Sequence, residues 1–440
     1  MPLEMKPISK LRFEALASYC RKPETLLHAD ELEWHQAYDE TILIVVVKDY
    51  NDGDYSALLL TKDLMERYRW VGITAFYDSP AETLENAPAA IEKVMADFEN
   101  AKRQGDEGEP VDFFTPVFPA VRLNPELTTL LTQRSFSPAL EIIKPMMRWY
   151  EDPDGNYVEQ FQTTGFNTRL WELYLFAMLA EVPFAIERKH SVPDFSAAGP
   201  LGKLFIEATS VNPSGAAHLA PPPMATDEQR TDFLRNYMPI RFAGPLVNKL
   251  THKHQELRYW EHPHVRNNPL VFAIQDFHAP GSLAYSSDAL PVYLYGMWWT
   301  KEQDAAGNVV GSPEAIETHV WGDKVIESGF FYLPDAEHIS AVIINPNATI
   351  SKFNRMGLMA GFGSPDVWIT RRGFAENPRR DATEPMPDTY EVGSPDYVES
   401  WMEGLSVFHN PNANIPLDPD LLPGAAHHFL NGDGTLLASY

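Results

Sequence analysis

Residues 191–210, SVPDFSAAGPLGKLFIEATS, contain an aspartate after a proline, a glycine-containing turn, and a glutamate within an apolar run. The turn separates two predicted strands at 192–197 and 203–210. Side chains alternate between the two faces of a strand, so Asp194 and Glu207 approach each other if the strands pair across this turn. The stretch therefore predicts two neighbouring carboxylates on adjacent strands.

Two carboxylates at this separation repel each other unless a cation lies between them. Carboxylate oxygens are hard ligands, which favour Mg²⁺ or Mn²⁺. A third acid, Glu172, falls within the apolar segment 170–180, which is typical of a buried helix. An unpaired carboxylate on such a helix is costly, so Glu172 requires a partner, and a water held by the metal would serve. The sequence thus predicts a divalent metal site formed by Asp194 and Glu207.

The sequence around these acids predicts a helix, three strands, a second helix and a fourth strand. Gly244-Pro245 is predicted to open the second helix, which extends to about Trp260. The apolar run 269–277 is typical of a strand that is buried on both faces. The other predicted elements are the strands 183–189, 192–197 and 203–210, a hairpin of 41–47 with 55–60, an exposed helix at 79–101, and strands at 340–344 and 367–370.

Charge is distributed unevenly along the 440 residues, whose net charge is −26. The net charge is −13 over 1–159, +1 over 160–270 and −14 over 271–440. A strongly acidic surface disfavours nucleic-acid binding, but the segment that carries the acids has no acidic excess. We predict three regions: an acidic α+β module of unassigned role at 1–159, the core at 160–280, and an acidic, proline-rich, loop-rich α+β region at 281–440 packed on the core.

Composition indicates a folded protein of a reducing compartment. Apolar residues make up 44% of the chain, and Cys20 is the single cysteine, so neither an intramolecular disulfide nor a four-cysteine zinc site can form. The N-terminal residues lack the apolar stretch of a secretory signal, and the aliphatic run 42–47 is too short to span a bilayer. We therefore predict a cytoplasmic protein without membrane partners.

The acids and the element order resemble the PD-(D/E)XK, or restriction-endonuclease-like, nuclease superfamily over about residues 166–277. The resemblance rests on Glu172 in a helix, the Pro193-Asp194 pair, Glu207 in the sequence IEAT, and the order αβββαβ. It implies an α/β fold whose restriction-endonuclease-like αβββαβ core is flanked by α+β regions. The sequence departs from the superfamily at Thr209, where a lysine is usual.

The resemblance implies that Asp194 and Glu207 bind Mg²⁺ or Mn²⁺ and that Glu172 is the acid of the first helix. It also implies a metal-dependent endonuclease, in which water activated by the ion hydrolyses phosphodiester bonds of nucleic acid. DNA is favoured over RNA as the partner. The oligomeric state stays open, with a homodimer as one option.

The positive group that the superfamily places at position 209 must come from elsewhere in this chain. In some members it comes from the helix after the third strand, where this sequence has Lys249 and Lys253 four residues apart. We predict that one of these two lysines supplies the charge. Lys203 is less favoured, because at ~3.3 Å per residue it lies ~13 Å along the strand from Glu207.

Other interpretations of the same residues remain open. Without lysine at position 209, the fold is also consistent with a catalytically inactive nuclease-like module that binds a partner. A carboxylate-pair glycoside hydrolase ranks last, because no sugar-stacking aromatic residue adjoins the acids in sequence. In the simplest interpretation, Asp194 is a turn residue after a proline, and Lys249 and Lys253 belong to a solvated helix face.

Overall fold

The structure is a computed structural model, and it describes residues 4–106, 108, 110–149, 155–182, 184–187, 190–215, 221–303, 309–375, 377–379 and 386–439. These residues form a mixed α/β fold. No helix among them is both long and apolar enough to cross a bilayer. The helices are α1 (Lys10–Ala17), α2 (Pro80–Ala96), α3 (Phe98–Ala101), α4 (Pro125–Thr132), α5 (Ser137–Trp149), α6 (Tyr157–Gln162), α7 (Phe166–Glu181), α8 (Asp227–Asp232), α9 (Met238–Thr251), α10 (Leu283–Tyr295) and α11 (Ile350–Met359).

The strands are distributed along the whole of the described sequence. They are β1 (Met5–Pro7), β2 (Ala29–Ala37), β3 (Ile42–Asp49), β4 (Tyr55–Lys62), β5 (Tyr68–Ile73), β6 (Ala185–Glu187), β7 (Phe195–Gly199), β8 (Gly202–Val211), β9 (Leu270–Asp276), β10 (Met297–Gln303), β11 (Val309–Ala315), β12 (Thr318–Trp321), β13 (Lys324–Glu327), β14 (Ala341–Ile344), β15 (Thr370–Ala375), β16 (Met386–Glu391), β17 (Ser406–His409), β18 (Ala426–Leu430) and β19 (Leu436–Ser439).

The chain divides into two compact units, each built from separate stretches of sequence. The first unit combines Met1–Ala185 with Thr349–Trp401, and the second combines Ile186–Ala348 with Met402–Tyr440. This division differs from the three consecutive regions that the sequence predicts. Long-range contacts cause the difference: Asn354 of α11 accepts from the backbone N–H of Ala139 in α5, while β17 pairs with β14.

The first unit contains an antiparallel sheet in the order β1-β2-β3-β4-β5. The predicted hairpin is confirmed, because β3 pairs with β4 in antiparallel register. The helix predicted at 79–101 is divided at Asp97 into α2 and α3, and the N-terminus of α2 is capped by the Ser79 side chain. α2 is not exposed on all sides, however, because Ala87, Ile91 and Val94 pack on the sheet.

A buried ion cluster holds the Thr349–Trp401 segment together. The buried carboxylate of Glu399 accepts hydrogen bonds from Arg355 Nε and Nη2 at 2.7 and 2.8 Å, and it lies 2.7 Å from Lys352 Nζ. The hydroxyl of Tyr397 donates to the same carboxylate. Burial alone would raise the pKa of Glu399, but the hydrogen bond from Arg355 and the two positive charges lower it from 4.5 to about 2.

The second unit is built on a mixed sheet in the order β19-β18-β17-β14-β9-β8-β7-β6. β7 pairs with β8 in antiparallel register, whereas β8, β9 and β14 run parallel. β9 is buried along its whole length, which confirms the prediction of a strand that is buried on both faces. α9 and α10 contribute to the core on one face of this sheet, where Leu246 and Leu250 pack with Phe205, Phe272 and Leu290.

The helix α9 differs from the prediction at both ends. Pro239 lies in its first turn, so Pro245 is inside the helix rather than at its start. His252 adopts an extended conformation (φ −65°, ψ 143°), which ends α9 at Thr251 instead of near Trp260. The lysine pair predicted on one helix face is therefore split, because the second lysine lies beyond the helix.

Two strands begin three residues later than predicted. β7 starts at Phe195, so Asp194 immediately precedes the strand instead of lying within it. The strand expected at 367–370 starts at Thr370, as β15. Short strand ends depend on pairing with a neighbour, and the local sequence does not contain that information.

The ion cluster in the first unit yields a stability prediction. Glu399→Gln is expected to cost about 3–5 kcal/mol near neutral pH, because it leaves buried positive charges without their counter-ion. Folding lowers the pKa of Glu399, so its stabilisation is complete above about pH 4.5 and is lost as the pH falls toward about 2. Denaturant unfolding of both chains across this pH range measures the difference.

The matched control for this prediction is an exposed ion pair. Glu159 lies 2.9 Å from Arg122 at the surface, so Glu159→Gln is expected to cost less than about 1 kcal/mol. Equal stability of the Glu399→Gln variant and the unsubstituted chain at neutral pH contradicts the stabilising role of the cluster.

Candidate functional site

The strands β7 and β8 bring Asp194 and Glu207 into contact. Phe195 pairs with Ile206, so Asp194, the preceding residue, lies opposite Glu207. The backbone N–H of Asp194 donates to Glu207 Oε2 at 3.2 Å, and the backbone N–H of Ala208 donates to Asp194 Oδ2 at 2.7 Å. The two acids therefore lie side by side, as the turn between the strands predicts.

Two further donors converge on Glu207. Lys249, in α9, forms an ion pair and a hydrogen bond with Glu207 Oε1, and the hydroxyl of Tyr259 donates to the same oxygen at 2.9 Å. The side chain of Glu207 is 4% exposed and that of Lys249 is 28% exposed. Lys249 thus has far more access to solvent than the carboxylate that it contacts.

The environment of Glu207 disfavours its charged form. Burial raises the pKa of Glu207 and the Asp194 carboxylate raises it further, against the lowering effects of Lys249 and Tyr259, to about 7. The pKa of Tyr259 is also raised, first by burial and then by the charge of Glu207. Tyr259 therefore keeps its proton at neutral pH and acts as a hydrogen-bond donor. A cation beside the two acids would relieve their repulsion.

The two acids have the donor chemistry for a hard divalent ion. Within the described residues, Asp194 Oδ1 accepts no hydrogen bond and Glu207 Oε2 accepts only from Asp194, so both atoms retain lone pairs. No group of three or more His, Cys, Asp or Glu side chains in the described part of the chain is arranged to hold a metal. Mg²⁺ often binds through one or two carboxylates and keeps several waters, so the residues fit Mg²⁺ or Mn²⁺ better than zinc.

The other predicted site residues have different surroundings. Glu172 belongs to α7 in the first unit and forms a salt bridge with Arg169 at 2.8 Å, so an arginine provides a partner for this acid. Lys253 is exposed in the segment after α9 and forms no ion pair with any described residue. Of the two predicted lysines, Lys249 is the one that meets the acid pair.

Tyr259 is a site residue that the sequence analysis did not predict. It lies in a single 3₁₀ turn, Tyr259–Glu261, where no periodicity relates it to Glu207. Its ring packs edge-on against Phe272 at a centroid distance of 6.2 Å, and Phe272 pairs with Glu207 across β8 and β9. Tyr259 reaches the site because β9 lies beside β8, which no local sequence pattern specifies.

Comparisons with protein-family descriptions, with curated proteins and with solved structures found no match to this chain.

The raised pKa of Glu207 yields a prediction for the pH dependence of stability. The folded chain holds a proton here that the unfolded chain releases, so this residue lowers stability as the pH rises from about 4.5 to about 7. Glu207→Gln is expected to melt at a higher temperature than the unsubstituted chain at about pH 8, with the difference vanishing near pH 4.5. Thermal unfolding across this range measures the effect.

Glu399→Gln is the control with the opposite sign, because the pKa of Glu399 is lowered by folding. Its variant is expected to be less stable than the unsubstituted chain near neutral pH. Parallel stability curves for Glu207→Gln and the unsubstituted chain from pH 4.5 to pH 8 contradict a raised pKa at Glu207.

Proposed function

We propose that this chain is a Mg²⁺- or Mn²⁺-dependent nuclease that hydrolyses phosphodiester bonds, with DNA favoured over RNA. The observation that carries the proposal is the contact among Asp194, Glu207 and Lys249. Two adjacent carboxylates with free lone pairs suit a hard divalent ion, and an ammonium beside them suits an anionic substrate. Burying these three charged groups costs free energy, so packing alone does not explain why they lie together.

The order and pairing of the elements support a restriction-endonuclease-like core. In chain order α7 is followed by β6, β7 and β8, and then by the short helix α8, α9 and β9. β6, β7 and β8 are neighbours in the sheet, and β9 runs parallel to β8 after the connection that contains α9. This order is similar to the αβββαβ order of the PD-(D/E)XK superfamily, with Lys249 in place of the lysine missing at Thr209.

Each residue of the site has a role in the proposed reaction. Asp194 and Glu207 would hold the ion through their carboxylates. When bound, such an ion polarises a phosphoryl oxygen and lowers the pKa of a water. Lys249 neutralises charge that develops on the phosphoryl group. To do so its ammonium must leave Glu207 Oε1, with which it is paired in the structure.

Local charge supports a polyanionic substrate. The segment 160–270 has a net charge of +1 in a chain whose net charge is −26. Arg266, in the connection between α9 and β9, is exposed. Cations of this kind bind phosphates by releasing counter-ions, so the affinity for nucleic acid is expected to fall as salt is added.

An inactive binding module is the second candidate function. Glu207 already has Lys249 as its counter-ion, and the described residues offer two carboxylates here rather than a group of three metal-binding side chains. This candidate predicts that the chain binds nucleic acid or another partner without cleaving it, with or without a divalent ion.

The nuclease proposal predicts cleavage that depends on the two acids and the lysine. The purified chain is expected to cleave plasmid or single-stranded DNA in Mg²⁺ or Mn²⁺ and to lose this activity in EDTA. Asp194→Ala and Glu207→Ala are expected to reduce cleavage to background. Lys249→Met is expected to lower the rate by about 100-fold, the order typical for removal of an electrostatic stabiliser. Initial rates on fluorescent DNA and RNA substrates measure these effects.

Lys253→Met is the matched control, because Lys253 is exposed and lies only four residues after Lys249. Its cleavage rate is expected to match that of the unsubstituted chain. Undiminished cleavage by folded Asp194→Ala contradicts the proposed metal site. Binding of DNA without cleavage, in either ion, favours the inactive module.

A further inference from the structure

We propose that residues 252–269, the connection between α9 and β9, position both acids of the site through Tyr259 and His264. We call this segment the positioning loop. The inference rests on the proposed metal-dependent function. It adds to the site two residues that are not proposed to contact the metal or the substrate. Tyr259 acts on Glu207, and His264 acts on the backbone that leads to Asp194.

Tyr259 fixes the orientation of the Glu207 carboxylate. Its hydroxyl is 2.9 Å from Oε1, and its buried ring is stacked on His252 at 5.5 Å and packed edge-on to Phe272. Lys249 contacts the same oxygen, but its side chain is more flexible and partly exposed. When Lys249 turns to a substrate phosphate, Tyr259 remains as the donor to Oε1. Oε2 of Glu207 thereby stays next to Asp194 both before and after Lys249 moves.

His264 fixes the backbone immediately before Asp194. Its Nε2 is 2.8 Å from the carbonyl oxygen of Val192, and this nitrogen carries the proton because a carbonyl only accepts. The ring of His264 is stacked on that of His190 at a centroid distance of 3.8 Å. Asp194 follows Val192 by two residues, so the hydrogen bond limits where the Asp194 carboxylate can lie.

One short segment therefore sets the positions of two acids, one in β8 and the other immediately before the neighbouring strand β7. Hydrogen bonds that orient metal-binding side chains typically change metal affinity by about 10–100-fold when they are removed. The positioning loop is thus expected to determine how tightly the site holds its ion. Once the ion is bound, loss of either hydrogen bond is expected to leave the reaction itself little changed.

The test measures binding of Mn²⁺ alone to the purified chain by titration calorimetry. Tyr259→Phe keeps the packed ring and removes the hydroxyl, and we expect it to raise the Kd for Mn²⁺ about tenfold or more. Cleavage by this variant is expected to be slow at low Mn²⁺ and to recover at saturating Mn²⁺. A purely structural role for the hydroxyl would not produce recovery by added metal.

A second pair of variants tests the hydrogen bond from His264 to the backbone before Asp194. His264→Phe keeps a stacked ring without the donor and is expected to weaken Mn²⁺ binding in the same way. His264→Gln restores an N–H near the position of Nε2 and is expected to recover part of the affinity. These variants keep the inference testable if Tyr259→Phe does not fold.

Tyr295→Phe is the matched control for loss of a buried tyrosine hydroxyl. Tyr295, in α10, donates to the carbonyl oxygens of His409 and His428 at 2.9 and 3.3 Å. Its Kd for Mn²⁺ is expected to be unchanged. If Tyr259→Phe and His264→Phe bind Mn²⁺ with unchanged Kd while Asp194→Ala loses binding, the inference is overturned and the proposed function stands. If the unsubstituted chain binds no Mn²⁺, both are overturned.

Discussion

A carboxylate with almost no access to water, Glu207 in β8, is the constraint that organises this site. Transfer of a charged group into an apolar layer is costly unless donors replace its water. Three donors do so here: the ammonium of Lys249, the hydroxyl of Tyr259 and the backbone N–H of Asp194. Each donor comes from a different part of the chain. Glu207 therefore receives all three hydrogen bonds only when the register of β7, the position of α9 and the path of the positioning loop are all maintained.

The two buried glutamates of this protein show how the balance of neighbours sets ionisation. Glu399 and Glu207 both contact a lysine and a tyrosine hydroxyl. Glu399 has a second cation, Arg355, and its pKa falls to about 2. Burial raises the pKa of Glu207, and its neighbouring acid, Asp194, raises it further, to about 7. In a cluster whose net charge is zero or positive, the neighbouring cations stabilise the ionised carboxylate. In a cluster with excess negative charge, a bound cation would offset the repulsion between the carboxylates.

The sequence predicts what depends on neighbouring residues and misses what depends on distant ones. The approach of Asp194 to Glu207 follows from one turn, and the buried strand β9 follows from its unbroken apolar run. The helix α9 ends at Thr251, where His252 adopts an extended conformation, and the arrival of Tyr259 depends on pairing between β8 and β9; neither has a local pattern. The partner of Glu172, in contrast, follows a local pattern, because Arg169 lies three residues earlier on the same helix face.

The path of the chain through the second unit has a consequence for biosynthesis. β14 pairs with β17, but the whole Thr349–Trp401 segment is translated between these two strands. On the ribosome, β9 and β14 therefore emerge well before the strand that covers the outer edge of β14. A hydrophobic strand with an open edge readily pairs with strands of other chains. In the interval between these two strands, the outer edge of β14 in the nascent protein is therefore open to pairing with strands of other chains.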